Sequence, residues 1–408
     1  MPADLLRLDA THAIRVVATE TGQRAGPVTR VGDDWVPSLA GDGAGLAVLH
    51  RLRNRSAVED GFRVTGFGWA AADDESERAM GVDQTHDSWV VGGRVVVKWM
   101  TEPLVGPHPA PERLRRLAAA GFEEAPALLG LLEWHEPGTG HWIPVAVAQA
   151  YLPGTEDGWT WAVHDARRAL GIEPGDPADP GGDLGGELGA VTGRLHLALA
   201  DHPPTRLTAD LARAHAEEAV GALDLAVRLT EQPDPDSHVL LVAHRPRIAA
   251  VLAGLAEATD AAVLPVHGDL HVGQVLRDAT GGYAVIDFDG NPTRTPALRA
   301  ADAPGALDVA GMLVCLENVG HVARNGAADP DPALDWSAMA WTSHAQARFL
   351  DGYRLALGDR LDLYDESLVA AYAWEQLCRE FVYAALHLPE WLYVPAASLR
   401  RRLAEDTT

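Results

Sequence analysis

The residues of this chain best placed to do chemistry are Asp269, Gln274 and Asp287. They lie in two short stretches, Val266-His-Gly-Asp-Leu-His-Val-Gly-Gln-Val-Leu276 and, after a turn, Ala284-Val-Ile-Asp-Phe-Asp-Gly290. A carboxylate and an amide five residues apart on a tight loop can face one cavity, the first toward an attacking oxygen and the second toward a cation that bridges nucleotide phosphates. A carboxylate ending the next strand then supplies an anionic ligand, and Asp289 a further one. Magnesium takes such hard oxygen donors and completes its shell with water and phosphate oxygens. The pattern is the one phosphoryl transfer from a magnesium nucleotide requires, with Asp269 as base and Gln274 and Asp287 on the metal. Each stretch alone reads as an ordinary Gly and Asp turn. Both in this order, joined by a hairpin with Thr280-Gly-Gly282 at its tip, carry the specificity.

A second signal is compositional. Among 33 Lys plus Arg, Lys98 is the only lysine in the chain. It sits near the end of Gly92-Gly-Arg-Val-Val-Val-Lys-Trp99, a β-branched run that reads as a strand. A compact ammonium can direct one charge at two phosphates, whereas guanidinium is forked and bulky, so a chain that otherwise uses Arg still has reason to keep Lys there. Survival of a single lysine codon by chance is the bland alternative. Upstream, Gln84-Thr-His-Asp-Ser-Trp89 lies where a loop over the phosphates belongs, although it has no glycine-rich fingerprint. Downstream, Pro111 to Gly121 reads as a helix with Pro at its start and Gly at its end. Its Glu112 is a candidate partner for Lys98, and equally a first-turn acid favoured by the helix dipole. Val145-Ala-Val-Ala-Gln-Ala-Tyr-Leu-Pro-Gly154 reads as a buried strand running into a turn, a hinge at which backbone groups of Gln149, Tyr151 and Leu152 would meet an adenine edge.

With these residues in hand, the chain resembles the aminoglycoside phosphotransferase-like kinases, and within them the actinobacterial maltokinase and glucosamine kinase group. The carrying segments beyond the catalytic loop are Tyr151–Trp159, Leu188–His196, Leu307–Leu313 and Pro389–Leu392. Gln274 is part of the resemblance, since most of the superfamily has Asn there and the maltokinase-like branch has Gln. The resemblance implies Asp269 as base, Gln274 and Asp287 as magnesium ligands, Lys98 on the phosphates, and ATP as co-substrate. It also implies an α+β, bilobal protein-kinase-like fold with an N-terminal cap subdomain: cap at 1–80, nucleotide-binding lobe at 81–153, mostly helical lobe at 154–408. Helical patterns at about 186–201, 208–231, 245–259, 333–357 and 366–388 fit that last lobe, and Gly171 to Gly182 reads as a breaker-rich loop.

The formal charge of -25 argues against nucleic-acid partners, which need clustered cations. The start of the chain lacks the apolar core of a signal peptide and no run approaches the ~18 apolar residues of a span, so the expected setting is cytoplasmic, without a membrane, as monomer or homodimer. Two cysteines, Cys315 and Cys378, in apolar patterns suit a reducing compartment as buried small hydrophobes.

The acceptor is read from Ala371-Tyr-Ala-Trp-Glu-Gln-Leu-Cys-Arg-Glu-Phe-Val-Tyr383, a late helix that in the resembled group lines the sugar side. Glu375 and Glu380, about 140° apart around a helix, are candidates to hold a protonated amine. Trp374 and Trp391 are candidates to stack on a pyranose, in a chain with 12 Trp against 6 Phe. His271 is a further acceptor contact, while both histidines flanking Asp269 serve mainly to hold the loop. Asp308 reads as a helix cap or a brace for that loop. The expected reaction is ATP-dependent phosphorylation of glucosamine to glucosamine 6-phosphate. Its rival is maltose to maltose 1-phosphate, for which Ala373-Trp374-Glu375-Gln376 departs from the Glu-Leu-Asp-Lys type sequence that maltokinases share. A rival of another class, a non-catalytic nucleotide-binding pseudokinase, requires a lost catalytic residue, and none is lost.

Overall fold

Short β-branched runs with apolar alternation open the chain, and long helical patterns close it. The structure is a computed structural model that describes residues 4–20, 22–53, 56–68, 74–81, 87–103, 108–174, 183–325 and 332–405. Within it the chain divides into two units, Met1–Gly154 and Thr155–Thr408. Residues 84–86 of the expected phosphate loop at Gln84–Trp89 fall outside the described residues, as does 175–182 of the breaker-rich loop.

In the first unit, β1 (Asp4–Arg7), β2 (His12–Ala18), β3 (Gln23–Val31) and β4 (Asp34–Pro37) form an antiparallel meander. Helix α1 (Ala44–Leu52) follows. Then β5 (Ser56–Glu59), β6 (Phe62–Gly66), β7 (Glu77–Ala79), β8 (Asp87–Val91), β9 (Val95–Trp99), helix α2 (Ala110–Ala120), β10 (Leu128–His135) and β11 (Trp142–Ala150) complete the unit. These seven strands make one sheet in the order β5-β6-β10-β11-β9-β8-β7. Leu6, Ile14 and Val16 of the meander share a core with Val48, Leu49 and Leu52 of α1 and with Val64, Trp99 and Leu132 of the larger sheet. The cap expected to run to residue 80 therefore ends its separate sheet at Pro37. β5 to β7 precede residue 80 yet join the same sheet as β8 to β11, because Val64 pairs with Leu132 and Arg78 with Val90. Strand propensity says that a segment is extended; it does not say which neighbour it will pair with.

In the second unit the helices are α3 (Gly158–Ala169), α4 (Leu184–Leu199), α5 (Ala209–Thr230), α6 (Pro235–Ala253), α7 (Pro296–Ala300), α8 (Ala306–Asn325), α9 (Pro332–Leu357), α10 (Val369–His387) and α11 (Tyr393–Glu405). Two small ribbons, β12 (Thr205–Arg206) with β13 (Ala262–Val263) and β14 (Val275–Arg277) with β15 (Tyr283–Val285), are the only sheet among the described residues here. The helix expected at about 245–259 starts at Pro235, where Asp234 accepts the Ser237 N–H (3.2 Å), and Pro246 lies inside it. Helix α8 escapes a periodicity search because it is buried on every side, so it has no amphipathic stripe. α8 and the segment Pro235–Glu257 are both long and apolar enough to cross a membrane, contrary to the expectation from composition. α8 is mostly enclosed by its neighbours, as the core helix of a folded domain is.

Helices α4 and α9 pack unusually closely. A Cβ at Gly185, Gly189 or Gly193, spaced four apart on one face of α4, would stand 2.2 Å from the Ala345 carbonyl oxygen, 2.0 Å from that of Phe349 and 2.6 Å from the Ala356 Cβ. Only hydrogen fits. Gly189→Ala is expected to cost about 1–3 kcal/mol through overpacking, which a denaturant melt would show as a lower midpoint at unchanged slope.

Candidate active site

The site is built on a loop that the core of the second unit grips. Asp308, in the first turn of α8, accepts the N–H groups of His267 (2.7 Å) and Gly268 (2.8 Å) on separate oxygens. It also stands 3.1 Å from Nε2 of His196, whose Nδ1 meets the Tyr353 hydroxyl at 2.8 Å. Asp308, His196 and His267 have no solvent exposure. Burial pulls the Asp308 carboxyl up, but the hydrogen bonds from His196 and from the two amides outweigh it and hold the group below the usual carboxylate range. The loop brace anticipated at Asp308 is therefore present. With its Oδ2 occupied as acceptor, His196 Nε2 carries the ring proton and the Tyr353 hydroxyl donates to Nδ1.

His267 sets the next residue. Its Nε2 donates to the Ile286 carbonyl (2.9 Å), which leaves Nδ1 to accept the Asp269 N–H at 3.3 Å. Gly268 at φ +80 makes the turn that a side chain would strain. Asp269 then accepts at Oδ1 from the Asn291 amide, 2.8 Å away. Desolvation raises the Asp269 pKa and Asp287 adds to it, against the hydrogen bond from Asn291; the net direction is up, which strengthens the carboxylate as a base. His271 caps the turn Val272–Gln274 by accepting the Gly273 N–H at Nδ1 (3.1 Å), and its other ring nitrogen lies 3.4 Å from the Gln274 side-chain amide.

Asp287, two residues past the end of β15, has φ +63, a left-handed conformation that costs a non-glycine residue about 1–2 kcal/mol. Such strain persists where the surroundings over-determine it, here between the β14–β15 hairpin and the buried Phe288. The hairpin is itself anchored. Asp278 accepts from Thr280 and Gly282 across its tip, Trp161 donates to the Val275 carbonyl (2.9 Å), and Arg277 lies 4.7 Å over the Trp161 ring while pairing with Asp165. Helix α3 starts directly against the catalytic turn, since a Cβ at Gly158 would stand 1.5 Å from the Val272 carbonyl oxygen.

Gln274 and Asp287 offer one amide oxygen and one carboxylate, with Asp289 half-buried two residues on. That is a hard donor set suited to magnesium, and it needs phosphate and water oxygens to be complete. Among the described residues no group of three or more His, Cys, Asp or Glu could hold a metal by itself. Arg299 of α7, buried, feels the charges of both Asp289 and Asp269.

Helix α10 departs from expectation in two places. Glu375, 1 % exposed, does not offer a free carboxylate: its Oε1 takes Arg294 (2.8 Å) and Arg379 (2.7 Å), and Arg379 also reaches Glu218 of α5 at 2.7 Å. Burial raises the Glu375 pKa, and the two guanidinium groups more than reverse that. Its role as an amine ligand is corrected to that of a counter-ion within a buried network. Trp374 is likewise corrected from a sugar platform to a core residue, packed among the α5, α6 and α10 side chains. Glu380 differs. It is half-buried; among the described residues its hydrogen-bond partners are the amides of Asn318 (2.9 and 3.0 Å) and Gln376 (3.4 Å), and burial lifts it to about 7. Trp391 stacks at 6.0 Å on Trp159 and at 6.3 Å on Tyr393. Cys315 and Cys378 are buried, and burial pushes both thiols up to about 12.

In the first unit, Val95, Val97 and Trp99 of β9 point into the core, which places Lys98 on the opposite face, half-buried and paired in register with Val147 and Ser88. Glu112 stands exposed on α2 and takes Arg116 one turn on (3.0 Å), so the helix-internal partner replaces the expected Lys98. Gln149 is half-buried at the end of β11; the Tyr151 N–H is used by the Arg94 carbonyl (2.7 Å) and its hydroxyl accepts from Arg78 (3.0 Å). Leu152 is half-buried beside it. A base edge along this segment would thus have to use groups other than the Tyr151 N–H.

Reading the sequence missed Asn291, Thr293, Arg294, Arg379, Glu218 and Asn318. The Glu375 and Arg379 pair, four apart on a helix, was legible, and so was the polar Glu317-Asn318 step inside an apolar helix. Asn291 carries no local signal, because Asp-Gly-Asn-Pro reads as a turn.

Comparison with known proteins agrees with this geometry. Residues 86–291 match the phosphotransferase enzyme family (APH). The chain is 40% identical over 410 aligned positions to a glucosamine kinase of Streptacidiphilus jiangxiensis, covering 98% of this chain and 91% of that protein. It is 38% identical to a glucosamine kinase of Mycolicibacterium smegmatis, covering 99% of each. A solved glucosamine kinase in complex with glucosamine, ADP and inorganic phosphate superposes with a TM-score of 0.83 at 38% identity, over 98% of this chain and 93% of that one. The fold is accordingly the α+β, bilobal one of the kinase-like phosphotransferases, and the chain belongs to the phosphotransferase enzyme family.

Proposed function

We propose that this protein is an ATP-dependent glucosamine kinase that transfers the γ-phosphoryl group to the 6-hydroxyl, giving glucosamine 6-phosphate and ADP. The observation that carries the reading is the near-full-length likeness to glucosamine kinases, over which Asp269, Gln274 and Asp287 stand in one braced loop and hairpin. Asp269 orients the hydroxyl and takes its proton as the new O–P bond forms and the bond to the leaving ADP oxygen breaks. Gln274 and Asp287, with Asp289, would hold magnesium, which when bound neutralises charge on the phosphate oxygens. Lys98 is the cation assigned to the same phosphates. The use of ATP supports a cytoplasmic setting.

The amine is assigned to Glu380, with Trp391 and His271 as further acceptor contacts. Among the described residues the hydrogen-bond partners of Glu380 are the amides of Asn318 and Gln376, whereas Glu375 on the same helix is paired with two arginines. A carboxyl near 7 is ionised above that pH and neutral below it. Capture of an ammonium needs the ionised form, so kcat/KM for glucosamine should fall as the pH drops through about 7, while Glu380→Gln should flatten that limb and raise KM for glucosamine. The sign for stability is opposite. A raised carboxyl stabilises the fold at low pH and loses that contribution as pH rises through about 7. An unchanged KM and acid limb in Glu380→Gln would remove Glu380 from the amine site.

The reading is tested by magnesium-dependent ADP release with glucosamine, N-acetylglucosamine, glucose, maltose and an aminoglycoside in parallel. Turnover confined to glucosamine is expected. Turnover on maltose would replace the acceptor and keep the catalytic residues.

A further inference from the structure

The catalytic aspartate is tied to a buried arginine through a chain of hydrogen bonds whose direction can be worked out donor by donor. The Thr293 N–H, which can only donate, lies 2.9 Å from Asn291 Oδ1. That atom is therefore the amide oxygen, and the other arm facing Asp269 Oδ1 at 2.8 Å is the NH2. Thr293 Oγ1 stands 2.6 Å from the same Asn291 oxygen and 2.9 Å from NH1 of Arg379. Guanidinium has no acceptor, so Arg379 donates to Thr293, Thr293 donates to Asn291, and Asn291 donates to Asp269. The starting cation is held in place: Arg379 is 4 % exposed and its remaining donors reach Glu375 and Glu218. The far end is held as well, since Asn291, itself 8 % exposed, donates its backbone N–H to the Gly268 carbonyl (3.2 Å) on the catalytic loop.

We infer that Asn291 is a positioning residue for the transfer, locked by Thr293 and Arg379 so that Asp269 Oδ1 is permanently occupied and Oδ2 alone is left to take the acceptor's proton. The inference rests on the reading of Asp269 as the base in the proposed kinase. Each hydrogen bond in a one-way chain from a cation polarises the next, which makes the chain stiffer than its members taken singly. Its function is geometric. A carboxylate free to rotate presents either oxygen at varying angles, and misplacement of a reacting group by about 1 Å can cost 10²-fold.

The test compares Asn291→Ala, Thr293→Val and Thr293→Ser in the full-length enzyme with glucosamine and ATP. Asn291→Ala is expected to lower kcat by about 10²-fold, with KM for ATP unchanged. Thr293→Val, nearly the same size but without the hydroxyl, is expected to lower kcat by roughly tenfold, the worth of one hydrogen bond. Thr293→Ser should recover most of that loss. In an Asp269→Asn background, Asn291→Ala should have no further effect on the residual rate, because the two act as one unit. Circular dichroism melts report whether each variant folds. A folded Thr293→Val that turns over at the native rate, or additive losses in the double variant, would overturn the relay. An unmodified enzyme inactive on glucosamine would instead bring down the kinase reading on which the relay stands.

Discussion

Asp269→Asn should lower kcat for glucosamine by about 10²–10⁴-fold, the usual worth of a positioned general base, while ATP and ADP bind as before. Asparagine keeps the shape and can still meet the Asn291 side chain, so the loop braced by Asp308 stays in place. What is lost is the oxygen that accepts a proton. In the loose transition state of phosphoryl transfer, proton removal comes late and positioning does much of the work, which is why the loss is bounded. Rapid-quench or coupled ADP assays measure the rate, and calorimetric titration of nucleotide measures the binding. Turnover within tenfold of the native enzyme would remove Asp269 from the role of base, and lost nucleotide affinity would show that the change had disturbed the loop.

Glu375→Ala should cost the protein about 3–5 kcal/mol of stability, the range measured when one partner of a buried ion pair is deleted. Two guanidinium groups, Arg294 and Arg379, then remain buried with Glu218 as their nearest acid: it lies 2.7 Å from Arg379 but 3.8 Å from Arg294. His215, which burial lowers to about 4, cannot help, since it adds no negative charge. This outcome separates two roles for the same carboxylate. As the counter-ion seen in the structure, Glu375 controls the melting temperature; as an amine ligand it would control KM for glucosamine and leave the melt nearly untouched. A normal melt with a raised KM would restore the second role. Because Arg379 also starts the chain to Asp269, the folded fraction of the variant should turn over slowly as well.

The loop and hairpin that carry the candidate catalytic residues could be read before any coordinates. Asp269, Gln274 and Asp287 lie within about twenty residues on one loop and hairpin, so their spacing along the chain nearly fixes their spacing in space, and backbone geometry alone restricts what such a segment can do. Lys98 was legible for a related reason: in a β-strand the face of each residue follows from its parity, and Val97 and Trp99 assign Lys98 to the face away from the core. The acidic helix was legible only as a helix. Its period shows that Glu375 and Glu380 point different ways, and it says nothing of what waits on each side. Glu375 became a counter-ion because Arg294 arrives from a loop after the hairpin and Glu218 from α5, and Trp374 became core because α5 and α6 cover it.

The sequence by itself thus determined the loop and hairpin that bring the candidate residues together, the strand that carries the lone lysine, and the presence of most of the long helices. Tertiary structure alone decided which acids are neutralised, that Trp374 packs inside, and that Asn291 reaches Asp269. The division has one cause. Local spacing is carried by bonds along the chain, whereas the charge state and exposure of a side chain depend on groups brought up from far away, and desolvation and opposing charge act through space without regard to sequence order.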